Sequence, residues 1–212
     1  MAEKTKKLKI AMFGQKRWSR EGGIEVVVEE LSTRMVKLGH QVTCYNRGGH
    51  HVSGKEFDGK KLHECEGVKL KTVPTINKKG LAAVSSSFFA ALACAFGKYD
   101  IVHIHAEGPA AMCWIPKLFG KRVAVSIHGL DYRRGGKWGS FARKYILLGE
   151  KNAVRYADEI IVLSRGVQQY FADTYGRETV FIPNGVERPK VLPAKLIIEK
   201  YGLDKDSYMN AA

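Results

Sequence analysis

The chain has 212 residues, a formal net charge of +14 and an isoelectric point near 9.6. That is enough chain for one large domain with one good core. The longest apolar stretch, Leu81 to Phe96, contains Ser85, Ser86 and Ser87 and is too short to span a membrane. The charge asks for an anionic partner (a phosphorylated ligand, nucleic acid or a membrane surface) or is a solubility charge spread over the surface.

In chain order, Lys7 to Phe13 reads as a strand, and a basic loop from Gly14 delivers Gly22-Gly23 to a helix start. On that helix Ile24, Val27, Val28, Leu31, Met35 and Leu38 share one face, and Gly39 closes it. Val42 to Tyr45 is the second strand. Arg47 to Gly67 has no period and reads as a loop with room for a small hairpin. Val68 to Val73 alternates as a strand does, and Gly80 to Gly97 reads as a packed helix. Lys78, Lys79 and Lys98 would also suit a helix that leans on a membrane. Tyr99 to His105 is a strand, Pro109 to Phe119 a helix and Arg122 to His128 a strand. A second basic loop, Asp131 to Gly139, carries Arg133, Arg134 and Lys137. Then come a helix from Ser140 to Ala157, a strand from Asp158 to Ser164, a helix from Gly166 to Tyr175 and a strand from Thr179 to Ile182. Lys195 to Tyr201 is a short last helix.

Six of these apolar runs stop on polar or glycine residues: at Gln15, Asn46-Arg47, His105, His128-Gly129, Ser164-Arg165 and Asn184-Gly185. Short apolar strands alternating with helices predict an open, doubly wound, mostly parallel α/β sheet, Rossmann-like, with helices on both faces. Ligands of such sheets bind beyond the carboxyl ends of the strands, so these polar residues should line one site. Cys44, Cys65, Cys94 and Cys113 are far apart, and three lie in apolar segments. They read as small buried hydrophobes of a reducing, cytoplasmic compartment, not as a disulfide frame or zinc site.

Gly22 and Gly23 after a strand resemble a phosphate-binding turn, since a helix amino terminus favours an anion. The loop is neither a dinucleotide fingerprint nor a Walker loop, which counts against a nicotinamide-dependent oxidoreductase. His103 and His105 alternate on one strand; the first reads as core, the second as a site residue because it ends the strand. His128 stands before Gly129 with Asp131 three residues on, placed to bond a sugar hydroxyl or phosphate. Ser164 reads as a helix cap, and Arg165 adds charge to the crevice. No aromatic RNA-binding motif is present, which disfavours nucleic acid.

Taken in order, Lys9-Ile-Ala-Met-Phe-Gly14, Glu21-Gly-Gly-Ile-Glu25, Tyr99-Asp-Ile-Val-His-Ile-His105, Ser126-Ile-His-Gly-Leu-Asp131, Ala157-Asp-Glu-Ile-Ile-Val-Leu-Ser164 and Ile182-Pro-Asn-Gly-Val-Glu187 resemble the amino-terminal domain of a GT-B-fold retaining glycosyltransferase of group 1, or family 4. Gln15-Lys-Arg17 and Ser19-Arg-Glu21 look most like a rhamnosyltransferase-like subgroup. The resemblance implies one half of a GT-B enzyme: an acceptor-binding domain over residues 1–187, then a hinge at Asn184-Gly185 and a truncated tail over 188–212, with the carboxyl-terminal donor domain missing. It also implies that His128 is catalytic and lies near the transferred sugar, and that Gly22 and Gly23 approach the donor diphosphate. Gln15, Arg17, His105, Asp131, Arg133, Arg134 and Arg165 are then the acceptor- or sugar-binding set.

The donor would be a nucleoside diphosphate sugar and the acceptor a cell-surface glycan or lipid-linked molecule, with no metal and no separate cofactor. On this reading the chain alone is inactive. The competing reading is a non-catalytic module that binds an anionic polymer or membrane surface. The basic residues Arg17, Arg20, Arg133, Arg134 and Lys137 serve either, at a peripheral position on the inner face of a membrane.

Overall fold

The computed structural model describes residues 6–18, 22–49, 63–78, 80–130, 139–185 and 195–203. Eight strands form one sheet in the order β3-β4-β2-β1-β5-β6-β7-β8. They are β1 (Lys9–Phe13), β2 (Gln41–Arg47), β3 (Glu64–Cys65), β4 (Val68–Val73), β5 (Ile101–His105), β6 (Arg122–Ile127), β7 (Glu159–Val162) and β8 (Val180–Phe181). All pairs are parallel except β3 with β4, the small hairpin the sequence left room for. The doubly wound, mostly parallel fold is as expected.

The helices are α1 (Gly23–Lys37), α2 (Leu81–Phe96), α3 (Glu107–Ala110), α4 (Trp114–Leu118), α5 (Ser140–Tyr156), α6 (Arg165–Tyr175) and α7 (Lys195–Tyr201). Among the described residues no helix is long and apolar enough to cross a membrane. α1 packs on one face, where Ile10, Met12, Val42 and Cys44 meet Val28. The other face carries the larger core, in which Phe13, Val102, Ile104, Val125 and Ile160 meet Ala90, Ala91, Ala153 and Phe171 from α2, α5 and α6. Alternation along buried strands sends successive side chains to these two layers.

The expected helix over Pro109 to Phe119 is two helices separated by a turn at 111–113. Proline explains the break. Pro116 lacks an N–H and is tolerated only in a first helical turn, so a new helix begins at Trp114. Other boundaries move by a few residues. β1 starts at Lys9 and not Lys7, and β6 ends at Ile127, which puts His128 just past the strand. β2 runs on to Arg47, two residues beyond its apolar core, because Asn46 and Arg47 still pair with Thr72 and Val73 of β4. Glu150 is fully buried on α5, where its carboxylate accepts the hydroxyls of Tyr170 (2.7 Å) and Tyr175, tying α6 down.

Candidate functional site

The chain leaves β1 to build β2 and β4 on one side, then returns to place β5 on the other. The direction of winding therefore reverses between β1 and β5, and crevices open at such a point. The two strand ends touch there. A Cβ on Gly14 would lie 2.0 Å from His105 O, and Gly14 has φ +123°, so the position requires glycine. Ala106, next along from His105, holds φ +77° and ψ 155°. That backbone region is costly for a residue with a side chain, by about 1–3 kcal/mol. Its N–H bonds Ser126 O at 2.9 Å, which keeps the ends of β5 and β6 together.

On the α1 side of this junction three histidines stack. His103 Nε2 lies 2.8 Å from Ser126 Oγ. His105 Nδ1 lies 3.2 Å from His128 Nε2. The rings of His103 and His105 are 4.2 Å apart, and those of His105 and His128 are 5.5 Å apart. Burial pushes His103 down to about 4, helped by the nearby His128. Burial, with the two neighbouring rings, lowers His105 well below its ordinary value. Both rings are therefore neutral at pH 7 and carry one proton each.

The single proton of His105 has a preferred nitrogen. Its Nε2 is buried and without a hydrogen-bond partner. A proton there would be an orphan buried donor, a costlier arrangement than an unused lone pair. With the proton on Nδ1, His105 donates to His128 Nε2. His105 is fully buried, and its ring contacts His128 from behind.

On the α2 side of Gly14 lies a narrow recess of about 10 Å³, room for about one water-sized group. Gly14, Gln15, Tyr45, Arg47, Ser86 and Ser87 line it. Gln15 is buried, and its Nε2 donates to Tyr45 O at 3.2 Å and to Asn46 Oδ1 at 3.4 Å. Its Oε1 has no hydrogen-bond partner. Burial lowers the Arg47 guanidinium, while the charge of Glu25 raises it. Tyr145 on α5 feels the same guanidinium; burial takes its phenol up to about 12, with Arg47 opposing. Its hydroxyl is also buried without a hydrogen-bond partner. The site can thus offer a ligand one amide acceptor and one cation.

The first loop is clamped in place. Trp18 N–H donates to Asn46 Oδ1 at 2.9 Å, and Trp18 Nε1 to Ser32 Oγ at 2.9 Å. Gly22 is the cap of α1 and Gly23 its first residue. The helix start already holds a carboxylate, because Glu25 Oε1 accepts Lys16 N–H at 3.0 Å and a Cβ on Gly22 would meet Glu25 Oε2 at 2.2 Å. Arg17 is half-buried. Arg165 is exposed; it stacks 4.1 Å over the Phe181 ring and donates to Gln168 Oε1 at 2.8 Å. Ser164 caps α6 by accepting Val167 N–H. Asn184 and Gly185 are exposed beyond β8. Asp131, Arg133, Arg134, Lys137 and Arg20 lie outside the described residues. Sequence reasoning missed Tyr45, Ser86 and Ser87, for which it offered no signal; Arg47 lines the cleft, as expected of a residue on which an apolar run stops.

No curated protein matches the chain. Among solved structures it is similar in fold to Anabaena HepE, determined with UDP and glucose: TM-score 0.57 and 15% identity, covering 85% of this chain and 45% of that one. It is also similar to Arabidopsis thaliana UGT89C1 with UDP-L-rhamnose: TM-score 0.56 and 13% identity, covering 95% and 58%. A third is a sucrose-phosphate synthase structure from Thermosynechococcus elongatus: TM-score 0.53 and 15% identity, covering 84% and 89%. The chain therefore spans about half the length of the first two. At these identities the likeness concerns the fold. The sequence itself carries the closer relationship: residues 21–188, from the loop before α1 to just past β8, match Glycosyltransferase Family 4, and the chain belongs to that family.

Proposed function

We propose that this domain binds the acceptor of a sugar transfer and presents His128 to the sugar of a nucleoside diphosphate donor. The observation that carries the reading is the junction at Gly14. It joins a polar cleft on one side of the sheet to a histidine pair on the other, both at the winding reversal. Gln15 and Arg47 take the acceptor in the cleft. His128, fixed from behind by His105, bonds a sugar hydroxyl or phosphate. The sugar is of hexosyl or rhamnosyl type. Asn184-Gly185 is the hinge to a donor-binding domain, and the chain alone binds without turning over. Family membership and the share of HepE that it spans support this division.

The test is His128→Ala in a protein that includes the donor-binding domain, read as nucleotide release from the sugar donor. Loss of a contact made chiefly in the transition state is worth about 2–4 kcal/mol, so turnover should fall about 10²- to 10³-fold with the fold intact. Unchanged turnover makes His128 structural and removes the reading.

A further inference from the structure

α2 is apolar on both of its sides. Ala90, Ala91, Cys94 and Ala95 pack into the core, while Leu81, Phe88, Phe89 and Phe96 face outward within an arc of roughly 100° at 3.6 residues per turn. A helix that is apolar all round is ordinarily covered on every side. The outward face continues across α4. Phe96 and Phe119 meet edge to face with centroids 4.9 Å apart, and Trp114 and Leu118 lie one turn apart beside them. Phe96 is 73% exposed, Leu118 71% and Phe119 50%; what sets them apart from scattered surface apolar residues is that they lie together.

The charge around this face has one sign. Segments 76–99 and 108–122 contain Lys78, Lys79, Lys98, Lys117, Lys121 and Arg122 and no acidic residue. Lys98 is exposed directly after α2, and Lys121 reaches back to Gly97 O at 2.6 Å. Of the nearest carboxylates, Asp100 accepts Lys9 N–H, and Asp158 accepts Val123 N–H and pairs with Lys117.

We propose that the α2–α4 face docks the protein on an anionic bilayer, with Phe96, Leu118 and Phe119 entering the interface and the lysines meeting lipid phosphates. Aromatic and aliphatic side chains rimmed by lysine are the composition of interfacial helices. A second copy fits less well, since a symmetric pairing sets the same six cations against each other. Docking stands without any sugar transfer. One consequence does rest on the transfer reading. The inner side of α2, through Ser86, Ser87 and Ala90, lines the acceptor cleft. A membrane on its outer side therefore places a lipid-linked acceptor within reach.

The experiment is flotation of the chain with vesicles of phosphatidylcholine alone and of equimolar phosphatidylcholine and phosphatidylglycerol, at low and high salt. Binding is expected to the anionic vesicles only, weakening with salt. The variant Phe96→Ser, Leu118→Ser, Phe119→Ser should lose at least tenfold in affinity. Lys98→Gln and Lys121→Gln should each cost about fivefold, the equivalent of about 1 kcal/mol per cation at such a surface. Phe141→Ser with Leu148→Ser, exposed apolar positions on α5, should bind as the parent does. Circular dichroism checks folding, and Phe96→Ser alone replaces the triple variant should that fail to fold.

Absence of binding overturns the proposal, as does equal binding to neutral vesicles. So does binding lost through Arg133→Gln, Arg134→Gln and Lys137→Gln but kept in the triple variant. A dimer in sedimentation that the triple variant abolishes, with no vesicle binding, makes the face a contact between copies. Vesicle binding combined with unchanged transfer in His128→Ala leaves docking standing and removes only the role given to His128.

Discussion

Acid should unfold this domain earlier than its size suggests, through His103 and His105. Both are buried and neutral, with folded pKa values below the ordinary 6.5: His103 at about 4 and His105 lowered further than an ordinary histidine shift. The unfolded chain takes up these protons more readily than the folded one. Stability is therefore complete above pH 6.5 and is lost as pH falls toward the folded values. For His103 alone the loss between about pH 6.5 and about pH 5 is about 2 kcal/mol, at about 1.4 kcal/mol per unit. His105 adds to it in the same direction. A domain of this size holds about 5–15 kcal/mol, so the combined effect is a large fraction of it. Urea unfolding followed by tryptophan fluorescence at a series of pH values reads the slope directly. His103→Gln keeps an amide nitrogen where Nε2 meets Ser126 and removes the titration, so its slope should be shallower by up to about 1.4 kcal/mol per unit. Equal stability at neutral and acidic pH, or an unchanged slope in His103→Gln, would refute the reasoning.

Three further outcomes follow from single contacts. Gly14→Ala combines φ +123° with a 2.0 Å approach to His105 O, and should cost about 3 kcal/mol in urea unfolding. Glu150→Ala removes the carboxylate that accepts the hydroxyls of Tyr170 and Tyr175 and should cost about 3 kcal/mol by the same measurement, chiefly by loosening α6. Burial pushes the Cys44 and Cys113 thiols up to about 12 and raises Cys94 in the same direction, whereas Cys65 is half-exposed. A thiol-reactive disulfide reagent at mildly alkaline pH should thus titrate Cys65 alone in the folded chain and all four cysteines in urea.

The edge of the sheet that carries the site was legible because each buried parallel strand is an apolar run, and a change to polar residues marks where it leaves the core. Gln15, His105 and His128 all follow from that rule, and the structure brings them to one junction. The strained backbone at Ala106 was not legible, because nothing in an alanine signals a positive φ. The break in the helix after β5 was legible in principle: two prolines seven residues apart each need a first turn, so one continuous helix could not hold both.

The cleft was hidden for a different reason. It is made by residues 14–15, 45, 47 and 86–87, brought together from a loop, a strand and a helix. Ser86 and Ser87 looked like interruptions of an apolar helix, and their hydroxyls are indeed spent on Ala83 O within that helix. Their significance is steric: small side chains on the inner side of α2 leave the space into which Gln15 and Arg47 face. The same helix read from outside shows why its composition misled. Sequence periodicity finds one apolar stripe and one polar stripe, and α2 has apolar stripes on both sides. A core demands one of them. The other, flanked by Lys78 and Lys98, stays exposed in the described fold, and an apolar surface ringed by a single charge has the composition of a docking face.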